Sequence, residues 1–187
     1  MVTRGKYPSL ERQWSKPMFA YFDYLPMKYH CATAREWSVR RLVWAFKDGK
    51  AGREVAELTV CAVRRHFGEH PSDIVFLCVP ASSEKKNEAR YKDFSEAVCG
   101  ASGMINGYGH VKIIGEREPI HCTSDRLCAD TLRIEFDKNF FSGRKVLLFD
   151  DVLTLGFSYA RFALRLEKAG AEVWGGFFLS KTIYKPI

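Results

Sequence analysis

The stretch Val146-Leu-Leu-Phe-Asp-Asp-Val-Leu-Thr-Leu-Gly-Phe-Ser158 decides the fold prediction for this chain of 187 residues. Its four consecutive apolar residues, Val146–Phe149, predict a fully buried strand of a parallel sheet. Asp150 and Asp151 follow at the carboxyl end of that strand, which is where open α/β sheets bind their ligands. Gly156 then allows a tight turn into a helix.

The turn that follows the acidic pair has the composition of an anion site. The hydroxyl groups of Thr154 and Ser158 flank Gly156, and the first N–H groups of the predicted helix point to the same place. A phosphate at the turn and a sugar diol at Asp150 and Asp151 together describe a phosphorylated ribose. The same two carboxylates are suited to Mg²⁺. The alternative is a strand whose acidic end only caps the following turn.

Strands and helices alternate along most of the chain, which predicts an α/β fold with an open, mostly parallel sheet flanked by helices. Residues 1–36 are aromatic and basic without a clean period, and we expect them to form an irregular N-terminal arm or cap. Residues 37–187 then form the α/β domain. The predicted strands are 73–80, 111–114, 146–149 and 172–182, and the predicted helices are 37–47, 53–67, 87–99, 124–133 and 157–169.

The composition limits the class of protein. The net charge is +7 and the isoelectric point about 9.1, which favours an anionic partner, either nucleic acid or a polyphosphorylated small molecule. No apolar run approaches the ~20 residues of a membrane span. The polar, basic N-terminus lacks the apolar core of a signal peptide, so we expect a cytoplasmic protein with no membrane partner. The six cysteines have no CxxC or zinc spacing, and we expect reduced structural thiols.

The segment from Val146 to Ser158 resembles the signature of the type I phosphoribosyltransferases, which is an apolar strand, two acidic residues and a Thr-Thr-Gly-x-Thr turn. The resemblance implies that Asp150 and Asp151 are catalytic, bind the ribose hydroxyls and hold Mg²⁺ directly or indirectly. It also implies that the turn binds the 5-phosphate of phosphoribosyl pyrophosphate through Thr154, Leu155, Gly156, Phe157 and Ser158. This chain has Leu155 for the usual second threonine, Phe157 for a small residue and Ser158 for the last threonine.

Two further segments resemble the ComF-like, competence-associated branch of that family: WSVRRLVWAFKDGK at 37–50 and IVFLCVPASSEKKNEARYKDF at 74–94. Lys47 and Arg90 stand in the matching places, and the resemblance implies a catalytic role for Arg90. The loop after Pro80 corresponds to the pyrophosphate loop, which assigns pyrophosphate binding to Ser82, Ser83, Lys85 and Lys86. A solvated helix start is the alternative for the two lysines. Many ComF-like proteins carry a CxxC zinc module, and since no such motif occurs here we expect no zinc.

The resemblance also bears on the substrate. The polar stretch from Arg117 to Arg133 corresponds to the mobile catalytic loop of the family, with Arg117, His121 and Arg126 as candidate contacts. A charged surface loop is the commoner alternative. Purine-salvage members have an aspartate where this chain has Thr154, so we do not expect a 6-oxopurine acceptor.

The sequence therefore predicts a protein of nucleotide metabolism that binds phosphoribosyl pyrophosphate with Mg²⁺ and transfers the phosphoribosyl group to an unknown nitrogen nucleophile. The resemblance suggests a homodimer. One alternative is a non-catalytic sensor of a phosphoribosyl ligand, which Leu155 and Phe157 would permit. Another is a ComF-like DNA-uptake or nucleic-acid-associated protein. It is favoured by the net charge, by two arginine pairs and by aromatic side chains on which bases could stack: Arg40-Arg41, Arg64-Arg65, Tyr7, Trp14, Tyr21, Tyr24 and Tyr29.

Overall fold

A five-stranded parallel sheet forms the centre of the molecule in the computed structural model, which describes residues 6–30, 32–69, 71–114 and 133–185. The strands of this sheet are β1 (Met18–Tyr24), β2 (Ile74–Cys78), β3 (Ile105–Asn106), β6 (Lys145–Leu153) and β7 (Glu172–Thr182). Their order in the sheet is β1-β7-β6-β2-β3, and every neighbouring pair is parallel. The predicted fold class, an open, mostly parallel sheet flanked by helices, is confirmed.

Helices cover both faces of the sheet because each strand alternates its side chains between two apolar layers. In β6, Leu147 and Phe149 pack in the layer that contains α2, α3 and α4, whereas Val146 and Leu148 pack against α1 and α6. The helices are α1 (Pro8–Trp14), α2 (Ala34–Lys47), α3 (Gly52–Phe67), α4 (Glu84–Ser102), α5 (Lys138–Phe141) and α6 (Phe157–Lys168).

Several predicted boundaries are confirmed, and others shift for identifiable reasons. The strand predicted at 172–182 matches β7. Helix α2 begins three residues before the predicted start because Thr33 and Glu36 form a capping box. Strand β6 continues to Leu153, so the acidic pair lies inside the strand rather than after it. Helix α6 ends at Lys168, and Gly170 follows with φ of 103°.

The described part of the N-terminal segment, residues 6–30 and 32–36, is not irregular, which corrects the prediction of an irregular arm. It contains α1 and also β1, which is an edge strand paired in parallel with β7. The sheet thus crosses the predicted boundary between residues 36 and 37. Bulky apolar side chains occur at adjacent positions of β1, such as Tyr21 and Phe22, and they conceal the two-residue alternation that identifies a strand.

A smaller antiparallel sheet joins β4 (Val111–Ile114) to β5 (Arg133–Phe136). The first of these strands was predicted and is confirmed; β5 was not. The helix predicted at 124–133 lies outside the described residues except for Arg133, where β5 begins.

The described cysteines are free thiols, with Cys61 exposed and Cys78 and Cys99 buried. Burial raises the pKa of the Cys99 thiol to about 12. Among the described residues, no helix is long and apolar enough to cross a membrane.

Candidate functional site

A cleft of about 1220 Å³ opens at the carboxyl ends of the parallel strands. Residues at or just after the ends of four strands line it: Tyr24 at the end of β1, Val79 and Pro80 after β2, Asp150–Val152 in β6, and Thr182 and Tyr184 at the end of β7 and just after it. Five cationic side chains also line the cleft, against three acidic ones. The cations are Lys28, Lys47, Lys85, Lys86 and Arg90, and the acids are Asp48, Asp150 and Asp151.

Asp151 is held by two cations from neighbouring helices. Arg90 Nη1 lies 2.5 Å from the Oδ2 atom of Asp151, and Lys47 Nζ lies 3.6 Å from its Oδ1 atom. The Arg90 guanidinium also donates to the Lys47 carbonyl oxygen at 3.2 and 3.0 Å. The carboxylate and the guanidinium are only 10% and 12% exposed, so this is a largely desolvated ion pair that links β6, α2 and α4.

Asp150 has different surroundings, although it is the adjacent residue. Its Oδ1 accepts a hydrogen bond from the Asp151 N–H at 2.8 Å. Burial, and secondarily the neighbouring Asp151 charge, raises the pKa of Asp150 well above its usual range. The two carboxyl groups on the cleft therefore differ in their partners: Asp151 is paired with two cations, whereas Asp150 accepts from the backbone.

The turn between β6 and α6 lines a second cavity, of about 230 Å³, that adjoins the cleft. Thr154 and Ser158 line both spaces, whereas Leu155, Gly156 and Phe157 line only the smaller one. The structure thus brings the predicted phosphate turn and both predicted diol-binding carboxylates to two adjoining spaces that share lining residues. Gly156 has φ of 76°, a conformation that glycine adopts without strain.

The Phe157 ring packs away from the main cleft, against the N-terminal helix. It makes edge-to-face contacts with Tyr7 and Trp14, each with ring centroids 5.1 Å apart. Trp14 Nε1 also donates a hydrogen bond to the Gly156 carbonyl oxygen at 3.1 Å. At the other end of the turn, the Thr154 and Thr182 hydroxyl oxygens lie 2.8 Å apart.

The predicted pyrophosphate loop divides between the cleft and the helix that follows it. Ser82, Lys85 and Lys86 line the cleft. Ser83 does not; it is buried and caps α4, where its hydroxyl oxygen accepts from the Lys86 N–H at 3.4 Å. Serine is a preferred N-cap residue, because its side-chain oxygen can accept from an N–H group of the first helical turn.

Sequence reasoning did not assign Trp14, Thr182 or Tyr184 to the site. Trp14 and Tyr184 carry no motif, and their neighbours in the sequence are not site residues. Thr182 ends the strand beside β6, a position where parallel α/β sheets bind ligands, so the predicted strand end was an available signal. The candidate contacts Arg117, His121 and Arg126 lie outside the described residues.

The side chains proposed for stacking on nucleic acid do not form an exposed row. Trp14 is buried, and Tyr7, Tyr21, Tyr24 and Tyr29 are half-buried. Arg40 is fully buried and donates to the carbonyl oxygens of Leu25, Pro26 and Tyr29 at 2.7 to 2.8 Å. These side chains pack within the fold. Arg41, Arg64 and Arg65 are exposed, so they and the net charge remain the argument for a nucleic-acid partner.

Comparisons with known proteins give only distant likenesses. A search of family models and a search of curated proteins both give no match for this sequence. Among solved structures, a phosphoribosylpyrophosphate synthetase from Mycobacterium smegmatis is similar with a TM-score of 0.38 and 15% identity. The likeness covers 66% of this chain, which spans only 33% of that one.

A purine phosphoribosyltransferase from Pyrococcus horikoshii OT3 is similar with a TM-score of 0.33 and 15% identity. That likeness covers 88% of this chain and 97% of the other. Because both TM-scores are below 0.5, neither likeness decides the activity of this chain.

Proposed function

We propose that the chain binds phosphoribosyl pyrophosphate with Mg²⁺ and transfers its phosphoribosyl group to a nitrogen nucleophile. The observation that carries this proposal is that the turn at 154–158 and the carboxyl groups of Asp150 and Asp151 line adjoining spaces at the carboxyl ends of the strands. This arrangement suits a ligand with a phosphate at one end and a diol next to it.

The distribution of charge suits the leaving group. Lys85, Lys86 and Ser82 line the cleft at the start of α4 and supply cations and a hydroxyl group. In the proposed reaction the nitrogen lone pair forms a bond to the anomeric carbon, and the bond from that carbon to the pyrophosphate oxygen breaks. The bonding electrons leave with pyrophosphate, and these cations stabilise the charge that develops on it.

Asp150 and Asp151 are the residues that would hold Mg²⁺, directly or through water. The described residues contain no cluster of three or more metal-ligating side chains. Two carboxylates nevertheless fit this ion, because Mg²⁺ is commonly held by one or two carboxylates together with substrate phosphates. When bound, the ion would neutralise pyrophosphate charge.

Each half of the acidic pair has its own proposed role. Asp151, which is paired with Arg90 and Lys47, presents its carboxylate near the ribose, where positive charge develops on the sugar ring. Asp150, whose pKa is raised by burial, is a partner for the sugar hydroxyls. Arg90 acts through Asp151 in this proposal, since its guanidinium contacts that carboxylate and the Lys47 carbonyl.

The acceptor would enter from the end of the cleft formed by Tyr24, Lys28 and Tyr184. Tyr184 is 56% exposed, and Lys28 Nζ lies 5.2 Å from the centre of its ring. The acceptor itself stays unassigned, as do membership of the ComF-like branch and a homodimer, for which the sequence resemblance is the support.

Release of pyrophosphate tests the transferase proposal. The chain is incubated with phosphoribosyl pyrophosphate, Mg²⁺ and a panel of nitrogen bases and amines, and D151N serves as the site control. We expect acceptor-dependent release that D151N lowers by at least ~100-fold, as for loss of a group that stabilises transition-state charge. Tight ligand binding without release for any acceptor would instead favour a non-catalytic sensor.

A further inference from the structure

The carbonyl group of Gly156 accepts two hydrogen bonds, one of them from a distant part of the chain. Trp14 Nε1 donates to its oxygen at 3.1 Å, and the Ala160 N–H donates to the same oxygen at 2.9 Å within α6. The residues joined by the first bond are 142 positions apart. Together the two bonds hold the direction of the peptide unit in the middle of the turn, and Trp14 supplies the one from outside α6.

Fixing that carbonyl group also fixes the next N–H group. The peptide unit between Gly156 and Phe157 is planar and trans, so its N–H points opposite to its C=O. With the oxygen directed to Trp14 and α6, the Phe157 N–H is directed away from both, and Phe157 is among the residues that line the small cavity. As the first residue of α6, Phe157 has no acceptor for this N–H within the helix.

Helix α1 is itself anchored to α6, so Trp14 is not a loosely attached side chain. Gln13 Nε2 donates to Glu167 Oε2, and Lys16 forms an ion pair with the same carboxylate. Trp14 is 7% exposed, and its ring contacts Phe157 edge-to-face. A Cβ atom added at Gly156 would lie 3.2 Å from Trp14 Nε1, so the ring and the turn are in close contact.

We propose that Trp14 is a positioning residue for the phosphate turn: through Gly156 it holds the Phe157 N–H in the orientation that donates to a bound phosphate. This inference rests on the proposed function, because it assigns a role in binding the phosphoribosyl 5-phosphate. The proposal also accounts for the aromatic side chain at position 157, because the Phe157 ring packs edge-to-face against Tyr7 and Trp14. At position 155 this chain has leucine where the resembled turn has a threonine hydroxyl. In this proposal the contact from the N-terminal helix supports the turn instead.

The test compares two ligands on one variant. W14F keeps an aromatic ring against Phe157 and removes the indole N–H. We expect its Kd for ribose 5-phosphate, measured by calorimetry, to rise about 3- to 10-fold, as for loss of one hydrogen bond. Its Kd for Mg²⁺-pyrophosphate, which uses the loop at 82–86, should stay unchanged. W44F, at a half-exposed position on α2, is the matched control and should change neither Kd.

Each other outcome has a defined meaning. If W14F binds ribose 5-phosphate with an unchanged Kd, the positioning role of Trp14 is overturned, whereas the proposed function is not. An equal loss for both ligands would overturn that role too, because it would indicate general damage to the fold. Absence of ribose 5-phosphate binding by the unsubstituted chain would overturn the proposed function and this inference with it.

A second measurement needs no functional variant. In a sample labelled with ¹⁵N-phenylalanine, the Phe157 amide signal is assigned by its absence in F157Y. We expect it to move downfield on addition of inorganic phosphate, as for an N–H that donates to an anion. An unmoved Phe157 signal at saturating phosphate would overturn the proposal even if W14F did not fold.

Discussion

Asp150 and Asp151 are neighbours in one strand, yet their electrostatic surroundings are opposite. Arg90 and Lys47 pair with Asp151, whereas burial and the adjacent charge raise the pKa of Asp150. The sequence predicts that both acids lie at a ligand site, because it places them at the end of a buried strand. It does not distinguish them, since the partners of Asp151 come from α2 and α4, 104 and 61 positions away.

The raised pKa of Asp150 predicts a pH-dependent stability in the absence of divalent cations. The pKa of Asp150 is higher in the folded chain than in the unfolded chain, so the folded chain holds a proton there that the unfolded chain has lost. The stability that Asp150 contributes therefore falls as pH rises from its unfolded pKa towards its folded pKa. Asparagine in D150N resembles the neutral acid and does not ionise, so this variant does not lose stability by that route as pH rises. We therefore expect the Tm of D150N, relative to the unsubstituted chain, to increase from about pH 4 to pH 7.

The exposed Asp93→Asn change on α4 is the control and should give a difference in Tm that does not vary with pH. A difference in Tm between D150N and the unsubstituted chain that stays constant or falls from about pH 4 to pH 7 would contradict the expectation. The predicted gain in stability accompanies a loss of ligand affinity, as is common for groups kept at binding sites.

The Arg90–Asp151 pair predicts a large cost when only one partner is removed. In R90M the Asp151 carboxylate stays in a poorly solvated place, and we expect the free energy of unfolding to fall by about 3 kcal/mol. In the double variant R90M/D151N much of that loss should be recovered, because no unpaired charge remains. Urea denaturation of R90M, D151N and the double variant measures the coupling free energy between Arg90 and Asp151. Strictly additive changes in the free energy of unfolding would contradict an interaction between them.

At the scale of elements, the turn between β6 and α6 is the part that sequence defined best. A buried strand, a glycine and a following amphipathic helix are local patterns, and all three are confirmed. The contact of α1 with this turn could not be predicted. Trp14 and Gly156 are far apart in the chain, and no local pattern of either residue signals the other.

Replacement of Gly156 by alanine separates strain from function, because Gly143 offers a matched control. Both glycines have similar positive φ angles, 76° and 70°. A Cβ at Gly143 meets nothing within 4 Å, whereas one at Gly156 lies 3.2 Å from Trp14 Nε1. We expect each alanine variant to lose about 1–2 kcal/mol of stability from the left-handed backbone.

Only G156A should also weaken binding of ribose 5-phosphate, because only its Cβ displaces Trp14 from the turn. The Kd values are measured by calorimetry and the stabilities by urea denaturation. Equal affinity in G156A and G143A would contradict the importance of that contact.

At the scale of the whole molecule, residues before 37 belong to the structure that supports the site. Strand β1 extends the sheet beside β7, and α1 covers part of α6. Sequence predicts the parallel sheet because its central strands are continuous apolar runs. It misses β1 because an edge strand with aromatic side chains on both faces has neither a simple alternation nor a fully apolar run.

A fragment that comprises residues 37–187 tests this view of the molecule. Without β1 and α1 it exposes the edge of β7 and the apolar surface of α6 that Leu10 and Trp14 cover. We expect it to lack a cooperative thermal transition in circular dichroism, or to aggregate. A cooperative transition within a few degrees of that of the full chain would instead support residues 1–36 as a separate arm.

The most direct test of the central claim is a calorimetric titration of the full chain with phosphoribosyl pyrophosphate in Mg²⁺. The account predicts saturable binding at one site per chain, weakened at least ~10-fold by S158A at the turn and by D151N at the acidic pair. The exposed Asp93→Asn control should bind as the unsubstituted chain does. No binding by the unsubstituted chain, or binding that both site variants retain in full, would contradict the account.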